Sequence, residues 1–263
     1  MDPSNNRMAG IAAIGAVGDK LFVDGKLVSI NRDTIIEGVN QGFLEIKEDT
    51  ANERYILKSP KGDIRLDELG DYLDILGVAG YYTNGPALGV KVCLHGITPA
   101  SDQMVNLLKE STKRAFGREF GRFKKEGFNI SPHIQWFNLK NRFSNTGVKM
   151  VGLLCEEIIN AGLIDQKKYV AGFQIIPNKI PGMGFIEVNQ TKISMRVANY
   201  MAVQIRAGNE MGLDVLLPEA TIRLGGFTDA CHSLTAATTV SIGYEERLIG
   251  EMERILSSYN NKT

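Results

Sequence analysis

Apolar and polar positions fall into two textures along this chain. Up to about residue 130 the apolar positions recur mostly at helical spacing, and beyond it strand-like and helix-like segments alternate. Residues 8–18 are small and apolar on nearly all sides, which predicts a buried helix packed closely on a neighbour and ending at Gly18-Asp19. Leu21 to Val28 predicts a short hairpin turning on Asp24-Gly25. Asn31 and Asp33 are the expected caps of a helix running through Ile35, Ile36, Val39 and Phe43. Residues 47–63 are polar, contain Ser59-Pro60-Lys61-Gly62-Asp63 and read as a loop with a soft boundary. Asp67 opens a helix with Leu69, Leu73 and Leu76 on one face, stopped by Gly77 and Gly80. Tyr81 to Gly85 reads as a turn. Thr98-Pro99 opens a longer helix with Val105, Leu108, Phe116, Phe120 and Phe123 near helical spacing. Gly117 and Gly121 would weaken it or admit another backbone, and Gly127 ends it.

In the second texture, Ile134 to Phe137 is a strand and Val148 to Ile159 a helix with Val151, Leu154, Cys155 and Ile158 inward. Tyr169 to Ile176, Phe185 to Val188 and Lys192 to Val197 read as strands, and Asn199 as the cap of a helix through Val203 and Ile205. Leu213 to Leu217 reads as a further strand, and Ala236 to Ile242 as a β-branched one. Tyr244 to Ser257 closes the chain as an amphipathic helix. The fold class is therefore α/β.

Composition narrows the function classes. Thirty Lys+Arg balance thirty Asp+Glu over 263 residues, so no global field draws in nucleic acid and any such contact is a local patch. Three widely spaced cysteines (Cys93, Cys155, Cys231) make no disulfide framework, fit a reducing cytoplasm and read as small buried apolar residues. No apolar run approaches the length of a membrane span, and the first residues lack a signal-peptide layout. The chain opens abruptly, as though partway through a fold.

Four features carry candidate chemistry. Gly225-Gly226, followed by His232 and Ala236-Ala237, reads either as a plain turn between elements or as a cradle of N–H donors beside an imidazole, suited to phosphate. Arg196, two residues after Ser194 on a strand, either leaves the sheet as a solvated residue or enters a cleft to hold phosphate. Asp19 is a helix-end loop residue or a metal ligand. The basic run holding Arg114, Arg118 and Arg122, interleaved with Phe116, Phe120 and Phe123, reads either as core face plus solvated charge or as a groove for single-stranded nucleic acid. His95 and His133 are isolated and read as structural.

The order of these pieces resembles a known family. A small apolar helix ending in Gly-Asp precedes a helical middle, then an α/β region with a Ser-x-Arg strand, Gly-Gly, His and Ala-Ala. This is similar to the C-terminal portion of the DHH phosphoesterases, the RecJ-like group and especially its archaeal members. Ile134-Gln135-Trp136-Phe137, Arg142-Phe143-Ser144, Gly147 to Gly152 and Asp229 to Val240 carry the likeness best. The resemblance implies a mixed-sheet, DHH-associated substrate-binding domain at 130–263, a helical middle region at 51–129 and a remnant of the end of a DHH domain at 1–50. It implies that Arg196, Gly225, Gly226 and His232 bind substrate and that Asp19 ligates manganese. Two departures stand out. Five residues, Phe227 to Cys231, separate the glycines from His232, whereas in the family motif the histidine stands one or two residues after the glycines. No Asp-His-His or Asp-x-Asp occurs, so the other ligands of a two-manganese site would come from elsewhere. The expected function is the substrate-binding portion of such an enzyme, acting on single-stranded nucleic acid or short nucleotides and incomplete alone. A separate DHH-domain polypeptide is an expected partner, and self-association is left open. The alternative is a non-catalytic nucleic-acid or replication-complex binding protein that keeps the fold.

Overall fold

Small side chains let the first helix, α1 (Ala9–Gly18), be buried on most of its surface, through Ala9, Ala13, Ile14, Ala16 and Val17. The computed structural model describes residues 3–19, 22–48, 52–59 and 62–260, so Leu21, Pro60 and Lys61 of the expected hairpin and loop lie outside the described residues. The chain forms two compact units, one ending at Ser111 and the other beginning at Thr112.

In the first unit, β1 (Phe22–Val23) and β2 (Lys26–Leu27) pair across Asp24 and Gly25, whose φ angles of 48° and 73° are the left-handed pair a two-residue hairpin requires. The next helix, α2 (Ser29–Asn40), starts two residues before Asn31, so neither Asn31 nor Asp33 caps it. Of the segment expected as a polar loop, residues 47–48 and 53–57 are instead strand, and residues 49–51 lie outside the described residues: β3 (Leu44–Glu48), β4 (Glu53–Leu57) and β5 (Ile64–Arg65) pair as three antiparallel strands. Its polarity misleads because Glu53 points inward, paired with Arg32 and Lys26 and accepting from the Tyr55 hydroxyl at 2.9 Å. Burial pushes the Glu53 carboxyl up, but the bonds from Arg32, Tyr55 and Lys26 outweigh it and hold it below the ordinary glutamate value. Helix α3 (Leu66–Asp74) runs into a π-helical turn at Ile75–Ala79, and α4 (Gly85–His95) follows the tyrosine turn. The long helix α5 (Pro99–Glu126) begins in this unit and ends in the second, at Gly127 with φ 75°.

The second unit is built on a six-stranded mixed sheet, as expected of an α/β chain with a mixed C-terminal sheet. Its strands are β6 (Asn129–Ile130), β7 (Ile134–Asn138), β8 (Tyr169–Ile175), β11 (Gln190–Arg196), β12 (Phe227–Cys231) and β13 (Thr235–Ser241), while β9 (Lys179–Ile180) and β10 (Gly184–Phe185) form a separate small hairpin. The spatial order is β12-β13-β11-β8-β7-β6. Only β7 and β8 run parallel, and α6 (Met150–Asn160) makes the crossover between them. Ile193 and Met195 of β11, with Ala171 and Phe173 of β8, face a core shared with α7 (Asn199–Arg206), α8 (Leu213–Arg223) and α9 (Glu245–Asn260). The alternate residues of β8 and β11 face α6, which comes so close that a Cβ on Gly172 would sit 2.7 Å from Val151 Cγ2 and 2.9 Å from Cys155 Sγ.

Three expectations are corrected here. Leu213 to Leu217 is the start of helix α8, because Leu213, Leu216, Leu217 and Ala220 are spaced for one helical face and all are fully buried. Asn199 is the first residue of α7 and makes no capping bond. Of Phe185 to Val188, only Phe185 is in a strand, and it is exposed. Burial pushes the Cys155 thiol up to about 12, so that cysteine is a small core residue. Among the described residues no helix is long and apolar enough to cross a membrane.

Candidate phosphate-binding site

Arg196 is the last residue of β11 and pairs with Thr235, the first residue of β13. Its side chain follows Ser194 onto the sheet face that carries α6. There Nε donates to Glu156 Oε1 at 2.8 Å and Nη1 donates to the Met195 carbonyl at 2.9 Å, with Ser194 Oγ 3.5 Å from Nη1. Gly152, in the first turn of α6, makes room for it: a Cβ there would lie 2.8 Å from Nη2 and 2.9 Å from Ser194 Oγ. Gly152 and Glu156 are one helical turn apart, so α6 offers a gap and a carboxylate on one face. The guanidinium is 18% exposed and Glu156 48% exposed, so the pair borders solvent rather than lying sealed in the core. Nη2 lies against Gly152; a guanidinium has five N–H donors, so the bonds through Nε and Nη1 do not use them all.

His232 stands at the same end of the sheet. It opens the three-residue turn between β12 and β13, its backbone N–H donates to Thr235 O at 2.8 Å, and its side chain is exposed. Thr235 is the residue paired with Arg196, so Arg196 and the turn of His232 stand at the same end of the sheet, on either side of Thr235.

The two glycines are elsewhere. Gly225 N–H donates to Ile222 O and Gly226 N–H to Thr221 O, each at 3.0 Å, and Gly225 has φ 68°. This is the Schellman cap of α8, in which a left-handed residue lets both N–H groups satisfy the helix's last carbonyls. The expectation that these N–H groups stand ready for phosphate is therefore corrected, because the helix end already takes them. Gly226 has a second structural reason: a Cβ would come within 2.4 Å of Thr239 O and 2.6 Å of Thr221 Cγ2. The residues between glycines and histidine are β12 itself, an edge strand, so Gly226 and His232 sit at its opposite ends, roughly 15–20 Å apart at about 3.3 Å per residue. Asp229 of that strand pairs with Lys192, whose side chain is 8% exposed on the same sheet face as Ser194 and Arg196.

The remaining expectations divide. Asp19 lies at the C-terminal end of α1 in the first unit and is exposed. Among the described residues, no three His, Cys, Asp or Glu side chains converge as a metal group, so the residues present do not fit a two-manganese centre. Arg122, the third expected nucleic-acid contact, is tied to Glu119 at 2.9 Å and Glu126 at 3.4 Å and lies over the Phe123 ring. The buried Glu119 also holds Arg142 at 2.9 Å. Phe116 and Phe123 pack on Phe143 and Phe137, which removes the stacking half of the nucleic-acid groove, whereas Arg114 and Arg118 are exposed. His133 is structural: its Nδ1 lies 2.7 Å from Glu253 Oε2, and Glu253 also accepts from Ser131 Oγ and the N–H groups of His133 and Ile134. Sequence reasoning missed Gly152 and Glu156. The one signal was a glycine inside an otherwise apolar helix, followed one turn later by an acid.

No protein-family model and no curated protein matches the sequence. Solved structures with a similar course of chain include the DHH domain of a member of a family of ribosomal proteins, at 9% identity and TM-score 0.49 over 95% of this chain and 50% of that one. The CDC45 protein of Entamoeba histolytica matches at 7% identity and TM-score 0.42 over 96% of this chain and 54% of that one. The C-Ala domain of the alanyl-tRNA synthetase of Aquifex aeolicus matches at 9% identity and TM-score 0.34 over 49% of this chain and 96% of that one. The chain thus spans about half the length of the first two.

Proposed function

We propose that this chain is the substrate-binding portion of a RecJ-like DHH phosphoesterase, that it holds a phosphate of single-stranded nucleic acid or of a short nucleotide, and that it is incomplete for hydrolysis by itself. The observation that supports it is Arg196, fixed by Glu156 and the Met195 carbonyl over a glycine gap, beside the exposed turn of His232. Arg196 supplies the permanent positive charge and binds a phosphate oxygen through an N–H that Glu156 and the Met195 carbonyl do not take. Glu156 orients the guanidinium, so little side-chain freedom is lost when the ligand arrives. His232 adds a hydrogen-bond donor from the neighbouring turn. Gly225 and Gly226 act indirectly, by fixing the end of α8 from which β12 and the histidine turn depart. Metal ligands for hydrolysis would come from a separate DHH-domain polypeptide.

A second reading, a binding protein that keeps the fold without an enzymatic partner, is favoured by the Schellman cap, which takes the N–H groups that the family motif would offer to substrate. Both readings share the Arg196 site. Titration of the chain with a 5′-phosphorylated oligonucleotide tests that site: Arg196→Ala loses tenfold or more in affinity, and unchanged affinity would remove both. Manganese-dependent cleavage on adding a DHH-domain polypeptide separates the first reading from the second.

A further inference from the structure

The part of α5 in the second unit is charged unevenly around its axis. At 100° per residue, Lys113 and Lys124 form one rim of an exposed arc of about 140°, and Arg114, Arg118 and Lys125 form the other. Gly117 and Gly121 lie between the rims and are themselves exposed. Away from the arc, Phe116 and Phe123 pack on Phe143 and Phe137 and Glu119 is buried, while the partly buried Phe120 borders the Lys113 rim. Two glycines inside a helix weaken it, and among the described residues nothing beyond the helix's own backbone lies within 4 Å of where a Cβ on either would sit. Their effect is to leave a floor without side chains between two rims of cations. From Lys113 to Lys125 this trough is about 18 Å long. Its N-terminal end is closed by Glu110, exposed one turn before Lys113 on the same arc. Along the rest of the arc there is no carboxylate, because Glu119 is buried against Arg122 and Arg142, and Glu126 pairs with Arg122.

We propose that this trough binds the sugar-phosphate backbone of a single-stranded nucleic acid. From Lys113 to Lys125 the arc carries only lysine, arginine and glycine, so its attraction is for a polyanion that can approach the helix backbone. Between its rims it offers no apolar or aromatic side chain. A protein partner therefore finds no anchor for a buried hot spot, and a bilayer finds nothing to insert. A straight track with cations on both sides suits an extended strand, whereas a duplex strand winds away from it. With the phenylalanines turned inward, the bases are not stacked on this helix and face outward. Binding here is carried by phosphates, independent of sequence and strongly dependent on salt. The trough does not depend on the Arg196 site.

The test uses the full chain and a fluorescein-labelled thymidylate dodecamer, read by anisotropy across a salt series. Arg114→Gln/Arg118→Gln/Lys125→Gln binds at least tenfold more weakly, and the slope of log affinity against log salt flattens by about 2, at roughly 0.7 per cation on a single strand. Thermal denaturation shows that this variant is folded. Gly117→Gln/Gly121→Gln keeps every charge and fills the floor, so it weakens binding while its melting temperature holds or rises. A purely structural role for the glycines would move both readouts together. Unchanged affinity or salt slope in the triple variant overturns the proposal. So does equal binding of a poly-glutamate peptide, which would assign the arc to acidic protein partners. Strand binding that falls in the triple variant and persists in Arg196→Ala supports the trough alone. Loss only in Arg196→Ala supports the phosphate site and rejects the trough.

Discussion

A guanidinium bonded to a carboxylate through one nitrogen and to a carbonyl through another has given up much of its rotamer freedom before a ligand arrives. Arg196 is in that position, and its partner Glu156 is 40 residues away in sequence. That separation is why the Ser-x-Arg pattern points to the arginine and not to its clamp: strand spacing shows which residues share a face, not which helix lies across it. Gly152→Ala tests the fit at this scale. The added methyl collides with Nη2 and Ser194 Oγ, so the variant loses about 1–3 kcal/mol in denaturant unfolding and its phosphate affinity falls in parallel. A melting midpoint equal to wild type would show that the gap is not needed. Glu253 gives a pH prediction. Burial raises its pKa, but bonds from Ser131 and His133 outweigh that and leave it below the ordinary glutamate value. A lowered folded pKa means that the stabilisation is present above the unfolded value of about 4.3 and is lost as pH falls through the folded one. Glu253→Gln is therefore less stable than wild type at pH 7, and the two converge below about pH 4. A constant difference across that range would contradict the assignment.

At the scale of elements, legibility follows how local the determining signal is. The Asp24-Gly25 hairpin, the long helix from Pro99 and the strands Tyr169–Ile175 and Gln190–Arg196 rest on short-range patterns, and the sequence places them closely. Leu213 to Leu217 misleads because a short apolar run suits strand or helix alike, and only burial of Leu213, Leu216, Leu217 and Ala220 on one face decides it. The strands between Leu44 and Arg65 are hidden because a paired, inward glutamate looks like loop polarity when its partner Arg32 is in another element. The glycines are the clearest case, since identical residues do opposite things. Gly225 is left-handed at a helix end, Gly226 lies against Thr239 and Val240, and Gly117 and Gly121 face open space. Gly225→Ala and Gly226→Ala are expected to destabilise by about 1 kcal/mol or more each, whereas Gly117→Ala or Gly121→Ala stabilises by about 0.5–1 kcal/mol. Chemical denaturation of the four single variants checks the signs. The insertion before His232, a gap when seen as sequence, is an edge strand that moves the histidine to the Arg196 end of the sheet.

For the whole molecule, the α/β architecture and the place of Arg196 on a strand are legible in the sequence. Among the described residues no cluster of three ligating side chains is formed, and Asp19 is an exposed helix-end residue. On the proposed reading the chain alone binds phosphate without cleaving a phosphodiester when manganese is added. A real-time assay on a labelled oligonucleotide checks this, and metal-dependent turnover by the purified chain would contradict it. The central claim is the phosphate site at the end of β11, and calorimetric titration with a 5′-phosphorylated dinucleotide, too short to use the α5 trough as well, addresses it most directly. The account predicts saturable binding by the wild type, at least tenfold weaker binding in Arg196→Ala, and only partial recovery in Arg196→Lys, because an ammonium cannot be held by Glu156 and present a second nitrogen to the ligand. Equal affinity of the wild type and Arg196→Ala, with both folded, would contradict it.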